Sequence, residues 1–199
     1  MIDIEALDRK PTAAILSIGA CMFEPFKDLI TSNAFYVCLD LQDVVSRGGT
    51  IGVPTLLWWL KQDQEIRDET FGGKTPLRKG LRNLKEWFKT FQPERVWARG
   101  TTYDISILTH GYSCIGENPP WKYNEVRDSR ICDDMFLSHI KFQEELFAQR
   151  SNRKLAHSAL ADAIHQAKEV KLYLQHLERV SAQTKRDRVA PYFLWNETM

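Results

Sequence analysis

At 199 residues the chain holds one sizeable domain. Hydrophobic and charged content are ordinary for a globular protein, and no apolar run approaches the roughly 20 residues that span a bilayer. The net charge of +1 excludes a strongly basic field, so any affinity for nucleic acid has to come from a local patch. Four scattered cysteines, Cys21, Cys38, Cys114 and Cys132, form no CxxC. That argues against a zinc site or a disulfide framework and for a reducing, cytoplasmic setting.

The first stretch, Met1 to Leu7, alternates apolar and acidic residues. In a strand, residues two apart share a face, so Asp3 and Glu5 project side by side. Two carboxylates held that close repel; a divalent cation relieves them, and a strand with one wet face is the plainer alternative. Only Met1 and Ile2 precede Asp3, so either this strand begins abruptly or the start is truncated. A turn at Asp8-Arg9-Lys10-Pro11 leads into the nearly continuous apolar run Ala13 to Phe23, which suits a buried strand. Phe35, Val37 and Leu39 alternate in a third strand, giving a β-meander.

From Leu41 the period becomes helical. A short helix around Leu41, Val44 and Val45 ends at Gly48-Gly49. Pro54 opens a second, with Leu56, Trp59 and Leu60 as its stripe. Gln64 to Phe71 makes a third, stopped by Gly72-Gly73. Thr75-Pro76 opens a clear amphipathic helix carrying Leu77, Leu81, Leu84, Trp87, Phe88 and Phe91. The tryptophans are core candidates, with base stacking by Trp58 or Trp59 as the alternative.

Arg95 to Ala98 forms a short strand that runs through Arg99-Gly100-Thr101-Thr102-Tyr103 to Asp104, at the head of an apolar helix. Asp104 either caps that helix or belongs to a site at the strand end. Arg127 to Ile131 forms a last short strand or turn, and Asp128, Asp133 and Asp134 are turn and helix-start residues. A helix with Met135, Phe136, Ile140, Phe142 and Phe147 follows. A basic connection holds Arg150, Arg153 and Lys154. His157 then stands five residues before Asp162 on a helix striped by Leu160, Ile164, Ala167, Leu174 and Leu177. Small residues Ala159 and Ala163 let that helix lie close on the sheet. The core spans about 1–180, with a tail at 181–199.

The order Asp-x-Glu, then an aspartate after an aromatic, then His-x4-Asp is long, and with it the sequence resembles the DEDDh group of 3′–5′ exonucleases. These are the DnaQ-like branch of the ribonuclease H-like fold, and the compact phage and bacterial exodeoxyribonuclease VIII-like branch is the nearest. The matching stretches are MIDIEAL, PTAAILSIGACMFEP, TLLWWLKQ, YDISIL and AHSALADAIHQA. The resemblance implies a single α/β domain of ribonuclease H-like fold, with a mixed central sheet of about five strands flanked by helices. It implies two Mg²⁺ or Mn²⁺ ions held by Asp3, Glu5, Asp104 and Asp162, with His157 as general base toward water. It implies nucleoside 5′-monophosphates released from a single-stranded 3′ end of DNA or RNA.

Ala6, Leu7, Arg99 and Tyr103 fall at the substrate-binding positions of that pattern, and Arg153 is a candidate phosphate contact. Arg127 and Arg130 are weaker ones. Ala6 replaces the usual small hydroxyl residue, and Arg99 stands nearest to a usual asparagine. The alternatives are a catalytically weak or inactive nucleic-acid-binding domain of the same fold, and a ribonuclease H-like endonuclease. No membrane partner is expected, and because many relatives dimerise, a homodimer stays open.

Overall fold

A computed structural model describes residues 1–27, 33–136 and 157–193. Strand β1 (Ile2–Ala6) pairs antiparallel with β2 (Ile15–Ala20), and β2 with β3 (Phe35–Cys38), in the meander expected from the alternation. The register sets Asp3 opposite Gly19 and Glu5 opposite Ser17, with a bulge after Glu5. Met1 continues the ladder, exchanging both backbone hydrogen bonds with Cys21 at 2.9 Å.

Helices α1 (Leu41–Ser46), α2 (Val53–Trp59), α3 (Gln64–Phe71) and α4 (Leu77–Phe91) follow. Asp40 caps α1 by accepting from the amides of Gln42 and Asp43, and Pro54 sits in the first turn of α2. Both devices answer the unpaired donors at a helix start. Leu77, Leu81, Leu84 and Phe88 of α4 are buried, as their spacing predicts. Then come β4 (Val96–Ala98), α5 (Asp104–Cys114), β5 (Val126–Asp128), α6 (Arg130–Phe136) and α7 (Ala159–Phe193). The helix expected beyond Phe136 lies outside the described residues. The backbone of α7 stays helical through the start of the expected tail and runs on to Phe193.

The expected sheet of about five strands is not seen as one hydrogen-bonded unit among the described residues. Among the described residues the strands make a three-stranded antiparallel sheet and a separate parallel pair, β4 with β5. The two groups meet where β1 lies beside β4. One physical reason is visible on that edge. The Ile4 amide, which points away from β2, donates to the Asp104 carboxylate at 3.3 Å instead of to a strand carbonyl.

Both faces of β1 and β2 are covered, so there is no wet face. One side joins Ile2, Ile4, Ala6, Leu16 and Ile18 to Leu81, Leu84, Ile107 and Leu108 in the main core. Burying each of these Ile and Leu side chains contributes about 1.5–3 kcal/mol before entropy is counted. The opposite side lies under α7, where Cys21 clusters with Ala163, Ala167 and Val170. Here small residues decide the spacing. A Cβ on Gly19 would fall 2.2 Å from the Ala159 carbonyl carbon and the Leu160 amide nitrogen. The start of α7 therefore rests on bare strand backbone, directly over the face that carries Asp3.

Candidate active site

Three elements deliver five polar side chains to one place. Strand β1 supplies Asp3 and Glu5 on the face beneath α7. Asp3 is 9% exposed and Glu5 is half-buried. The loop after β4 supplies Asp104, the first residue of α5, which is 3% exposed. That loop is itself anchored by Asp128. Its carboxylate accepts from the amides of Gly100 (3.1 Å), Thr101 (2.9 Å) and Arg130 (3.0 Å). Desolvation pushes Asp128 up, yet these hydrogen bonds outweigh it and leave its acid below the ordinary value. Asp128 is thus a loop anchor, in line with the turn role expected for it.

The start of α7 supplies the rest. Asp162 is buried, and its amide donates to the Ser158 carbonyl at 2.8 Å. His157 lies in the preceding turn with φ +69°, left-handed and costly for a side chain with a Cβ by roughly 1–2 kcal/mol. Its amide donates to Asp162 Oδ2 at 3.3 Å, which ties the turn to the helix it precedes. Ligand atoms of Glu5, His157 and Asp162 all lie within 4.8 Å of one another. The His157 ring meets Trp58 edge to face, with centroids 4.7 Å apart at 88°. Trp58 remains 40% exposed, whereas Trp59 is buried and donates its indole N–H to the Ala6 carbonyl at 3.2 Å.

The electrostatics follow from crowding. Burial raises the Asp3 acid well above the carboxylate range, and Asp104, Glu5 and Asp162 raise it further. A hydrogen bond from Gln166 Nε2 to Asp3 Oδ1, at 2.7 Å, pulls the other way. Asp104 is pushed up to about 7 by burial, opposed by the Ile4 amide and by the nearby Arg130 guanidinium. Burial and then the Asp104, Glu5 and Asp3 carboxylates raise the Tyr103 phenol, whose hydroxyl donates to the Asp8 carbonyl at 3.2 Å. Hard oxygen donors, dehydrated and mutually repelling, are the donor set a divalent cation such as Mg²⁺ or Mn²⁺ relieves.

The other expected substrate residues have clear places. Ala6 and Leu7 are buried in the main core, and the Leu7 amide and carbonyl are engaged by Ala14 and Gly52. The Arg99 guanidinium bonds Asp133 at 2.6 Å and Glu169 at 2.7 Å, and Glu169 also meets His165 at 3.1 Å. Tyr103 borders the acidic cluster. Arg153 and its neighbours Arg150 and Lys154 lie outside the described residues. Sequence reasoning missed Gln166 and Gly19. A glutamine one turn after Asp162 carries no signal until the helix is laid on β1. Gly19 had one, as a glycine inside an apolar strand pattern marks close backbone approach.

Fold and site together define a class: an α/β domain whose acidic, imidazole-flanked cluster is of the hydrolase type. Residues 1–174 match the 3′–5′ exoribonuclease Rv2179c-like domain, and the chain belongs to that family. No curated protein gave a match. The family assignment agrees with the resemblance at the level of 3′–5′ exonucleases.

Proposed function

We propose that this chain is a divalent-metal-dependent 3′–5′ exonuclease of the DEDDh type. It removes nucleoside 5′-monophosphates from a single-stranded 3′ end, and the family description favours RNA over DNA. The observation that carries this reading is the convergence of Glu5, His157 and Asp162 within 4.8 Å beside the buried Asp3 and Asp104. A binding module has no use for so many desolvated carboxylates in one place.

In this reading Asp3, Glu5, Asp104 and Asp162 hold two Mg²⁺ or Mn²⁺ ions. When bound, the ions supply Lewis acidity and charge neutralisation for in-line displacement at phosphorus. The chain's own groups do the rest. His157 accepts the proton of the attacking water on an imidazole nitrogen, a general-base role that imidazole chemistry suits. Trp58 limits the swing of that ring by its edge contact. Gln166 holds one Asp3 oxygen and so orients the other. The four cysteines are free thiols. Among the described residues no helix is long and apolar enough to cross a membrane.

The test uses 5′-labelled RNA and DNA of equal sequence, each with a single-stranded 3′ end, incubated with Mn²⁺, with EDTA, or with the Asp104→Ala variant. A ladder shortening from the 3′ end, lost in both controls, is expected, with RNA shortened faster. Normal folding and tight binding without cleavage would overturn the catalytic reading.

A further inference from the structure

Two arginines flank Gly100, and the fold treats them differently. Arg99 is neutralised by Asp133 and Glu169. Arg130 is exposed, and among the described residues its guanidinium forms no ion pair. Yet its position is built. Gly100 has φ +103°, and a Cβ there would lie 2.7, 2.8 and 2.9 Å from Nη1, Cζ and Nη2 of Arg130. The guanidinium is therefore laid against the bare Cα of Gly100. One carboxylate holds both ends of this contact, since Asp128 accepts from the Gly100 amide and the Arg130 amide alike. The side chain ends within electrostatic reach of Asp104.

An exposed arginine beside an acidic cluster answers a physical need. A polyanion approaching clustered carboxylates is repelled, and a fixed cation at the edge offsets this. The guanidinium offers paired N–H donors that match two phosphate oxygens. We propose that Arg130, seated on Gly100, grips a backbone phosphate of the substrate strand on the α6 side of the site. This rests on the exonuclease reading and adds a substrate contact to it. The competing role is internal: Arg130 acts only through Asp104, by holding its charge.

The experiment measures binding and cleavage separately. Binding is read by anisotropy, in Mn²⁺, on a labelled single-stranded RNA whose last 3′ linkage is a methylphosphonate and resists hydrolysis. Arg130→Gln is expected to weaken binding about tenfold and to lower the slope of log affinity against log salt by about 0.7. Arg130→Lys restores part of the affinity, because charge returns without the fork. A second methylphosphonate is then moved along the strand. At one linkage wild type should lose its advantage over Arg130→Gln.

Equal binding by wild type and Arg130→Gln, or an advantage that survives at every linkage, overturns the proposal. So does unchanged binding with a shifted pH profile, which would assign Arg130 to Asp104 alone. The unmodified RNA is run alongside. If wild type cuts no ladder the exonuclease reading fails, while the binding comparison still decides the grip on phosphate.

Discussion

The side-chain amide of Gln166 donates to Asp3 Oδ1 at 2.7 Å, joining two residues 163 positions apart. Gln166 is 8% exposed, so water does not replace this donor. Its Oε1 is also buried, with no hydrogen-bond donor among the described residues. The amide is therefore committed to the carboxylate, and it is one of the few groups that favour a charged Asp3.

Gln166→Leu keeps the volume but removes that donor. Partners of metal-binding carboxylates typically account for about 10–100-fold in metal affinity. The Mn²⁺ concentration that half-saturates thermal stabilisation is expected to rise by that factor, with little change in the stability of the metal-free protein. Identical Mn²⁺ midpoints would remove Gln166 from the site.

The raised acids predict a pH dependence whose sign is fixed. Asp104 is pushed up to about 7, above its ordinary 3.8, so the folded state holds its proton more tightly than the unfolded state does. Its contribution to stability is complete below about pH 4 and is lost as pH rises through about 7. Asp104→Asn removes this dependence while its amide oxygen still accepts from Ile4. In EDTA the variant should match wild type near pH 4 and exceed it by on the order of 4 kcal/mol above pH 8. Mn²⁺ should reverse the order, stabilising wild type more as pH rises. A gap in EDTA that does not widen with pH would show that Asp104 is not desolvated as described.

Gly19 sets the depth at which α7 docks. With a Cβ 2.2 Å from the Ala159 carbonyl carbon, Gly19→Ala forces the helix start outward. Overpacking of this kind costs about 1–3 kcal/mol. Cleavage is expected to fall further than that loss of stability explains, because Asp162 and His157 ride on the displaced turn. Chemical denaturation and initial rates on the same preparation check this.

The adjacent tryptophans should separate cleanly. Trp59→Phe loses the hydrogen bond to the Ala6 carbonyl in the core and should cost about 1–3 kcal/mol in a denaturant titration. Trp58→Ala removes the edge contact to the His157 ring along with an edge contact to Trp59. Its turnover should fall roughly tenfold or more, part of the about 10²–10⁴ that a general base contributes. Equal loss of stability in the two variants would make Trp58 a core residue and nothing more.

Much of the site was legible before any coordinates. Asp3 and Glu5 announce themselves because strand alternation is a local property, and the helix stripe of α4 is read from spacing alone. Asp104 could be read as a cap or as part of a site; it lies buried in the first turn of α5 and accepts from the Ile4 amide of β1. Other features depend on contacts between distant segments. Nothing local says that Arg99 will meet Asp133 and Glu169, or that Gln166 will meet Asp3. The division of the described strands into two hydrogen-bonded groups was equally hidden, since it involves one amide, that of Ile4, facing a side chain.

The distance in sequence between Asp3 and α7 has a consequence for how such a protein is made. A chain leaving the ribosome carries β1 long before the helix that completes the acidic cluster exists. Until α7 emerges and settles on Gly19, there is no Asp162 beside Glu5 and no Gln166 to hold Asp3. In such an order of synthesis the acidic cluster is completed only by the last helix to emerge.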